Sequence, residues 1–73
     1  MLVESRVVAR YLQVSKEIAS NIESGLLGPG DELPSIRDAA DRHKTTSSTI
    51  ARAYRYLADA GVIDAADRRY VPA

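Results

Sequence analysis

The sequence predicts a mainly α fold closed by a small β-hairpin, a winged helix-turn-helix, and three observations carry that prediction. Apolar residues recur at helical spacing in three separate stretches, the last two only a few residues apart. Glycines stand where the first and third stretches stop. Two short β-prone segments then follow, with a brief connection between them.

The first helix is expected from about Ser5 to Ser24. Val7, Tyr11, Val14, Ile18 and Ile22 fall 4, 3, 4 and 4 residues apart and so share one face. Gly25 stands where a left-handed residue ends a helix, and Leu26 and Leu27 are expected to anchor the exit in the core. Gly28-Pro29-Gly30-Asp31 cannot continue a helix and reads as a turn. Pro34 holds Leu33 extended. Ser35 followed by Asp38 then forms a capping-box pattern at the start of a short second helix. Ile36, Ala39 and Ala40 make its apolar side, and it is expected to end near Arg42-His43. His43-Lys44-Thr45 is a tight connection, with Thr45 or Thr46 capping a third helix over 46–60. Two helices joined this closely form a helix-turn-helix, and the small Ala39 and Ala40 suit their close approach. After Gly61, Val62-Ile63-Asp64 and Arg69-Tyr70-Val71 read as strands of a hairpin over 62–71, with Ala65-Ala66-Asp67-Arg68 at its tip.

The third helix has two unlike faces. Ile50, Ala53, Tyr54 and Leu57 make a buried stripe, while Ser47, Ser48, Arg52 and Arg55 fall on the other side. Hydroxyls near a helix start, with guanidinium groups further along, suit a DNA major groove, where such side chains read base edges or grip phosphate. An ordinary solvated face is the alternative on this stretch alone.

Charge distribution bears on that choice. Ten Lys plus Arg balance ten Asp plus Glu, so the net charge is zero. Yet residues 42–57 hold Arg42, Lys44, Arg52 and Arg55 and no acid. The expectation is a local positive patch on a molecule that is neutral at long range. One domain is expected over residues 1–73, globular at 45% hydrophobic and 27% charged residues. The absence of cysteine excludes a disulfide framework and thiolate metal sites, and fits a cytoplasmic setting. No apolar run is long enough to span a membrane, and no secretory signal opens the chain.

At this point the chain resembles the DNA-binding domain of the GntR family of bacterial transcription regulators. The resemblance rests on Ser24-Gly25-Leu26-Leu27, Pro29-Gly30-Asp31, Leu33-Pro34-Ser35-Ile36-Arg37, Ala39-Ala40, Thr49-Ile50-Ala51-Arg52-Ala53-Tyr54, Leu57 and Gly61-Val62-Ile63, and covers roughly Tyr11 to Val71. The Ala-Arg-Ala-Tyr run is most similar to the YtrA and MocR branches. The resemblance implies DNA contacts from Ser35 and Arg37, from Thr46, Ser47, Ser48 and Thr49, and from the wing around Arg68. Two departures are visible. Many members carry arginines where this chain has Ser47 and Ala51, so base reading is expected to lean on Arg37, Arg52 and the hydroxyls. The glycine usual at the wing tip is absent, so Arg68 or Arg69 enters or flanks the minor groove, or the wing contacts little. The resemblance also implies a double-stranded DNA operator as partner and a homodimeric full-length regulator. A small-molecule effector would act through a C-terminal domain absent from this chain, making the chain an isolated module or a piece of a longer regulator. Repression is the regulatory sense included in this expectation.

Other groups are read more plainly. Lys44 and Arg42 are phosphate neighbours or solvated residues, and Arg37 contacts DNA or pairs with Asp38 or Asp41. Tyr54 and Tyr11 are expected to pack the core, whereas Tyr56 either closes its side or reaches a phosphate. His43 is expected close enough to the DNA backbone to help bind phosphate when protonated. No nucleophile elbow, phosphate loop, zinc spacing or carboxylate pair in a cleft is legible, so neither an enzyme nor a cofactor is expected. The remaining alternative is a winged-helix protein-interaction module, its basic face docking an acidic partner.

Overall fold

The computed structural model describes the backbone of residues 2–28, 30–66 and 69–73, and the side chains of residues 10–28, 30–65 and 69–73. Three helices, α1 (Leu2–Glu23), α2 (Ile36–Arg42) and α3 (Ser47–Asp59), precede strands β1 (Ile63–Ala66) and β2 (Arg69–Pro72). The strands pair antiparallel, with Ile63 opposite Pro72 and Ala66 opposite Arg69. The Leu33 N–H donates to the Tyr70 carbonyl at 2.8 Å, so the extended entry to α2 lies along the outer edge of β2.

One core holds these elements. Val14 and Ile18 of α1, Leu33 in the extended entry to α2, Ala39 and Ala40 of α2, the α3 stripe Ile50, Ala53, Tyr54 and Leu57, and Ile63 of β1 are all buried. Ser15 is also buried. Its hydroxyl donates to the Tyr11 carbonyl at 2.8 Å and lies 3.5 Å from the Ala53 carbonyl, so two small residues let α1 and α3 approach closely. Tyr54 links three elements. Its hydroxyl donates to the Pro34 carbonyl at 2.8 Å, and its ring meets that of Tyr70 at 4.7 Å between centroids.

The helix ends explain the connections. The Ser35 hydroxyl accepts from the Asp38 N–H at 3.1 Å and starts α2. A return bond from the Ser35 N–H to the Asp38 carboxylate, which would complete a capping box, is absent among the described residues. The α2 exit is a Schellman motif: Lys44 N–H to Asp41 carbonyl at 3.2 Å and Thr45 N–H to Ala40 carbonyl at 2.9 Å. The same pattern ends α3, with Gly61 N–H to Ala58 carbonyl and Val62 N–H to Leu57 carbonyl. Gly61 takes the left-handed position there at φ 78°, but in α2 that position is filled by Lys44 at φ 53°. A side chain in this region is strained, and nothing in the lysine's chemistry announced it.

Several boundaries differ from expectation. α1 begins at Leu2 rather than Ser5, since Leu2, Val3 and Glu4 carry no stop signal. β1 continues through Ala65 and Ala66, which were expected in the hairpin tip. Leu26 does not anchor the core: it is 75% exposed, whereas Leu27 is half-buried against it. The Leu27 N–H returns to the Asn21 carbonyl at 3.0 Å, and of two adjacent leucines at this reversal only the second faces inward. Val7, expected on the buried face of α1, lies outside the described side chains.

Candidate nucleic-acid interface

The start of α3 is fixed by Thr46. Its hydroxyl accepts from the Thr49 N–H at 3.2 Å and lies 3.0 Å from the Thr49 hydroxyl. Thr46 and Thr49 therefore belong first to the cap, which occupies one of their two hydroxyl protons. Ser47 and Ser48 are exposed, and their hydroxyls have no partner among the described residues. The first turn carries no acid, so its free N–H groups present an uncompensated positive end.

Further along, Ser48, Arg52 and Arg55 are spaced 4 and 3 apart and all exposed, opposite the buried Ile50–Leu57 stripe. The two arginines are not equivalent. The Arg52 guanidinium carbon lies 4.9 Å from the centre of the Tyr11 ring, on α1. Arg55 has no such partner among the described residues.

Arg37 projects from the first turn of α2 and is exposed. Among the described residues it pairs with neither Asp38 nor Asp41, leaving its donors free. Ser35 uses its oxygen to cap α2 but keeps its own proton to donate. Because Tyr54 of α3 holds the Pro34 carbonyl, the entry of α2 is tethered to the middle of α3. Burial of that phenol, opposed by nearby Arg42 and aided by Tyr70, pushes its pKa up to about 12. It is neutral, and a donor, at ordinary pH.

Lys44 is exposed at the turn between the two helices. His43 faces elsewhere than expected. Its Nδ1 lies 3.3 Å from Glu17 of α1, and its carbonyl accepts from Arg10, also of α1. An acid held against the ring makes a poor phosphate site, and no local pattern around His43 points to Glu17. Arg69 is exposed 3.7 Å from Glu32 and so meets an acid at the tip end of the hairpin, where it pairs with Ala66. Arg68, expected at the wing tip, lies outside the described residues. Tyr56 meets Tyr11 edge to face, with centroids 6.0 Å apart, while remaining 48% exposed. No helix among the described residues is long and apolar enough to cross a membrane, and no group of three metal-ligating side chains occurs among them.

Comparison with known proteins gives consistent matches. The family model for bacterial regulatory proteins of the gntR family matches residues 10–71. The HTH-type transcriptional regulator Rv1152 of Mycobacterium tuberculosis is 34% identical over 56 residues, which cover 77% of this chain and 46% of that protein. The HTH-type transcriptional repressor YtrA of Bacillus subtilis is 32% identical over 54 residues, 74% of this chain and 42% of the repressor. The chain thus spans less than half the length of either relative. A solved structure of YtrA from Sulfolobus acidocaldarius, a GntR-family transcription factor, matches with a TM-score of 0.81 at 44% identity, covering 85% of this chain and 66% of that one.

Proposed function

The chain belongs to the GntR family of bacterial regulatory proteins, and from that premise we propose that it binds double-stranded DNA sequence-specifically as the recognition module of a bacterial transcription regulator. The observation that carries this reading is the division of α3. Its inner stripe is fully buried, while its outer face offers free serines and arginines without an acid until Asp59.

In the proposed complex α3 lies in the major groove. The N–H groups of its first turn, with Ser47 and Ser48, meet the phosphate and base edges at one wall. Arg55 reaches along the ridge, while Thr46 and Thr49 fix the first turn and contact DNA only with what the cap leaves free. Arg37 and Ser35, at the entry of α2, grip the backbone, with Lys44 as a further phosphate ligand. The hairpin, with Arg68, approaches the minor groove. Two copies would occupy half-sites about one helical turn apart, as expected of a homodimer. Dimerisation and effector sensing are assigned to parts of the regulator outside residues 1–73. The setting is the cytoplasm, where the operator is. The repressor in the name of the B. subtilis relative supports repression as the regulatory sense.

Binding by the single domain should be weak and strongly salt-dependent, since a neutral molecule relies on a few local phosphate contacts. Titration against random genomic fragments at low salt tests this. Retained duplex in the micromolar range supports DNA binding, and Lys44→Ala should weaken every sequence alike. No retained duplex at tens of micromolar protein would refute it and favour a protein partner for the basic face.

A further inference from the structure

We propose that Tyr11, on a helix outside the DNA-facing elements, is a positioning residue that aims Arg52 at the phosphate backbone rather than at a base edge. The inference rests on the DNA-binding reading above and departs from the sequence expectation that Arg52 reads bases.

An arginine on an exposed helix face ordinarily samples many rotamers. Arg52 instead lies against the ring of Tyr11, 4.9 Å from its centre. That ring is itself held. Tyr11 is half-buried against the core, and Tyr56 abuts it edge-on with an interplanar angle of 77°. The close Ser15–Ala53 approach keeps α1 near α3 one turn further on. Arg52 therefore leans to the α1 side of α3, while Ser48 and Arg55, on the same face, have no aromatic partner among the described residues.

Direction decides the contact. With α3 along a major groove, its outer ridge faces the base edges, and its flanks face the two phosphate walls. A guanidinium drawn to the α1 flank meets a wall. The guanidinium has no hydrogen-bond or ion-pair partner among the described residues, so its N–H donors remain free to bridge phosphate oxygens bidentately. Holding the group in place before binding reduces the ordering cost when DNA arrives.

The test is fluorescence-anisotropy titration of the 73-residue chain across a salt series. The probes are a duplex selected by the wild-type chain from a random pool and a scrambled duplex of equal length. Arg52→Ala is expected to weaken both duplexes by a similar factor and to flatten the salt slope by about one. Tyr11→Leu should weaken both about three- to tenfold, and Tyr11→Phe, which keeps the ring, should stay within about twofold of wild type. The double variant Tyr11→Leu/Arg52→Ala should bind no worse than Arg52→Ala alone, because Tyr11 acts only through Arg52. Circular dichroism confirms folding of each variant, with Tyr11→Met replacing Tyr11→Leu should the latter unfold. Loss confined to the selected duplex in Arg52→Ala, or additive losses in the double variant, would overturn the inference. Failure of the wild type to bind either duplex would refute DNA binding itself, and the inference with it.

Discussion

Tyr54→Phe probes the joint between the two helices of the helix-turn-helix. The wild-type phenol is fully buried and donates to the Pro34 carbonyl at 2.8 Å. Phenylalanine keeps the ring and its contact with Tyr70 but leaves that carbonyl without its donor, at a cost of about 1–2 kcal/mol near neutral pH. For a domain of this size each 1 kcal/mol corresponds to about 4–8 °C in Tm. The same site sets an alkaline limit. Burial raises the Tyr54 pKa from 10.0 to about 12, so below pH 10 the group is protonated in both folded and unfolded chains and its contribution is complete. Between pH 10 and 12 the unfolded chain ionises first, and stability falls as pH rises, by about 2–3 kcal/mol in total from this group. Denaturant unfolding of wild type and Tyr54→Phe at matched pH values isolates the effect, because other titrating groups cancel in the difference. Wild type should lead at pH 8, and its advantage should shrink and reverse by pH 12. Parallel decline of the two chains above pH 10 would show that the phenol is not held neutral by its surroundings.

Further outcomes concern the helix ends. Lys44→Gly should raise the unfolding free energy by about 0.5–1 kcal/mol, read as a higher denaturant midpoint, because glycine adopts φ 53° without strain, whereas Lys44→Ala should not. Thr46→Ala should cost about 1 kcal/mol through loss of the α3 cap, and Thr46→Ser should restore most of it, read by thermal melts. Leu26→Ser should change stability by less than about 0.5 kcal/mol, while Leu27→Ser should cost more, as only the second leucine packs on the core.

The fold was largely legible because its signals are local. The α3 stripe, the Ser35 and Thr46 caps, and Gly25 and Gly61 at the helix ends all follow from spacing and backbone chemistry over a few residues. What escaped depends on partners distant in sequence. Glu17 and His43 are 26 positions apart, yet they meet because α1 crosses the α2 exit. Leu26 and Leu27 are identical side chains, and only the direction of the chain after Gly25 distinguishes them. Ala65 and Ala66 carry little strand preference, and pairing with Tyr70 and Arg69 draws them into β1. Lys44 was recognised by its charge, and its left-handed backbone was hidden behind it.

The same contrast holds within the candidate interface. Pattern alone places Ser48, Arg52 and Arg55 on one face, because helical period is a local property. It cannot rank them, because what sets them apart is a ring on another helix. Arg52 and Tyr11 lie 41 positions apart, on different helices. Tyr54 likewise joins α3 to the entry of α2, so Arg37 and the outer face of α3 are carried by a single buried joint. The exposed residues of such an interface are thus supplied locally, while their aim is set by aromatic side chains in or against the core. Substitutions at Tyr11 and Tyr54 should therefore alter DNA affinity without removing any atom that touches DNA.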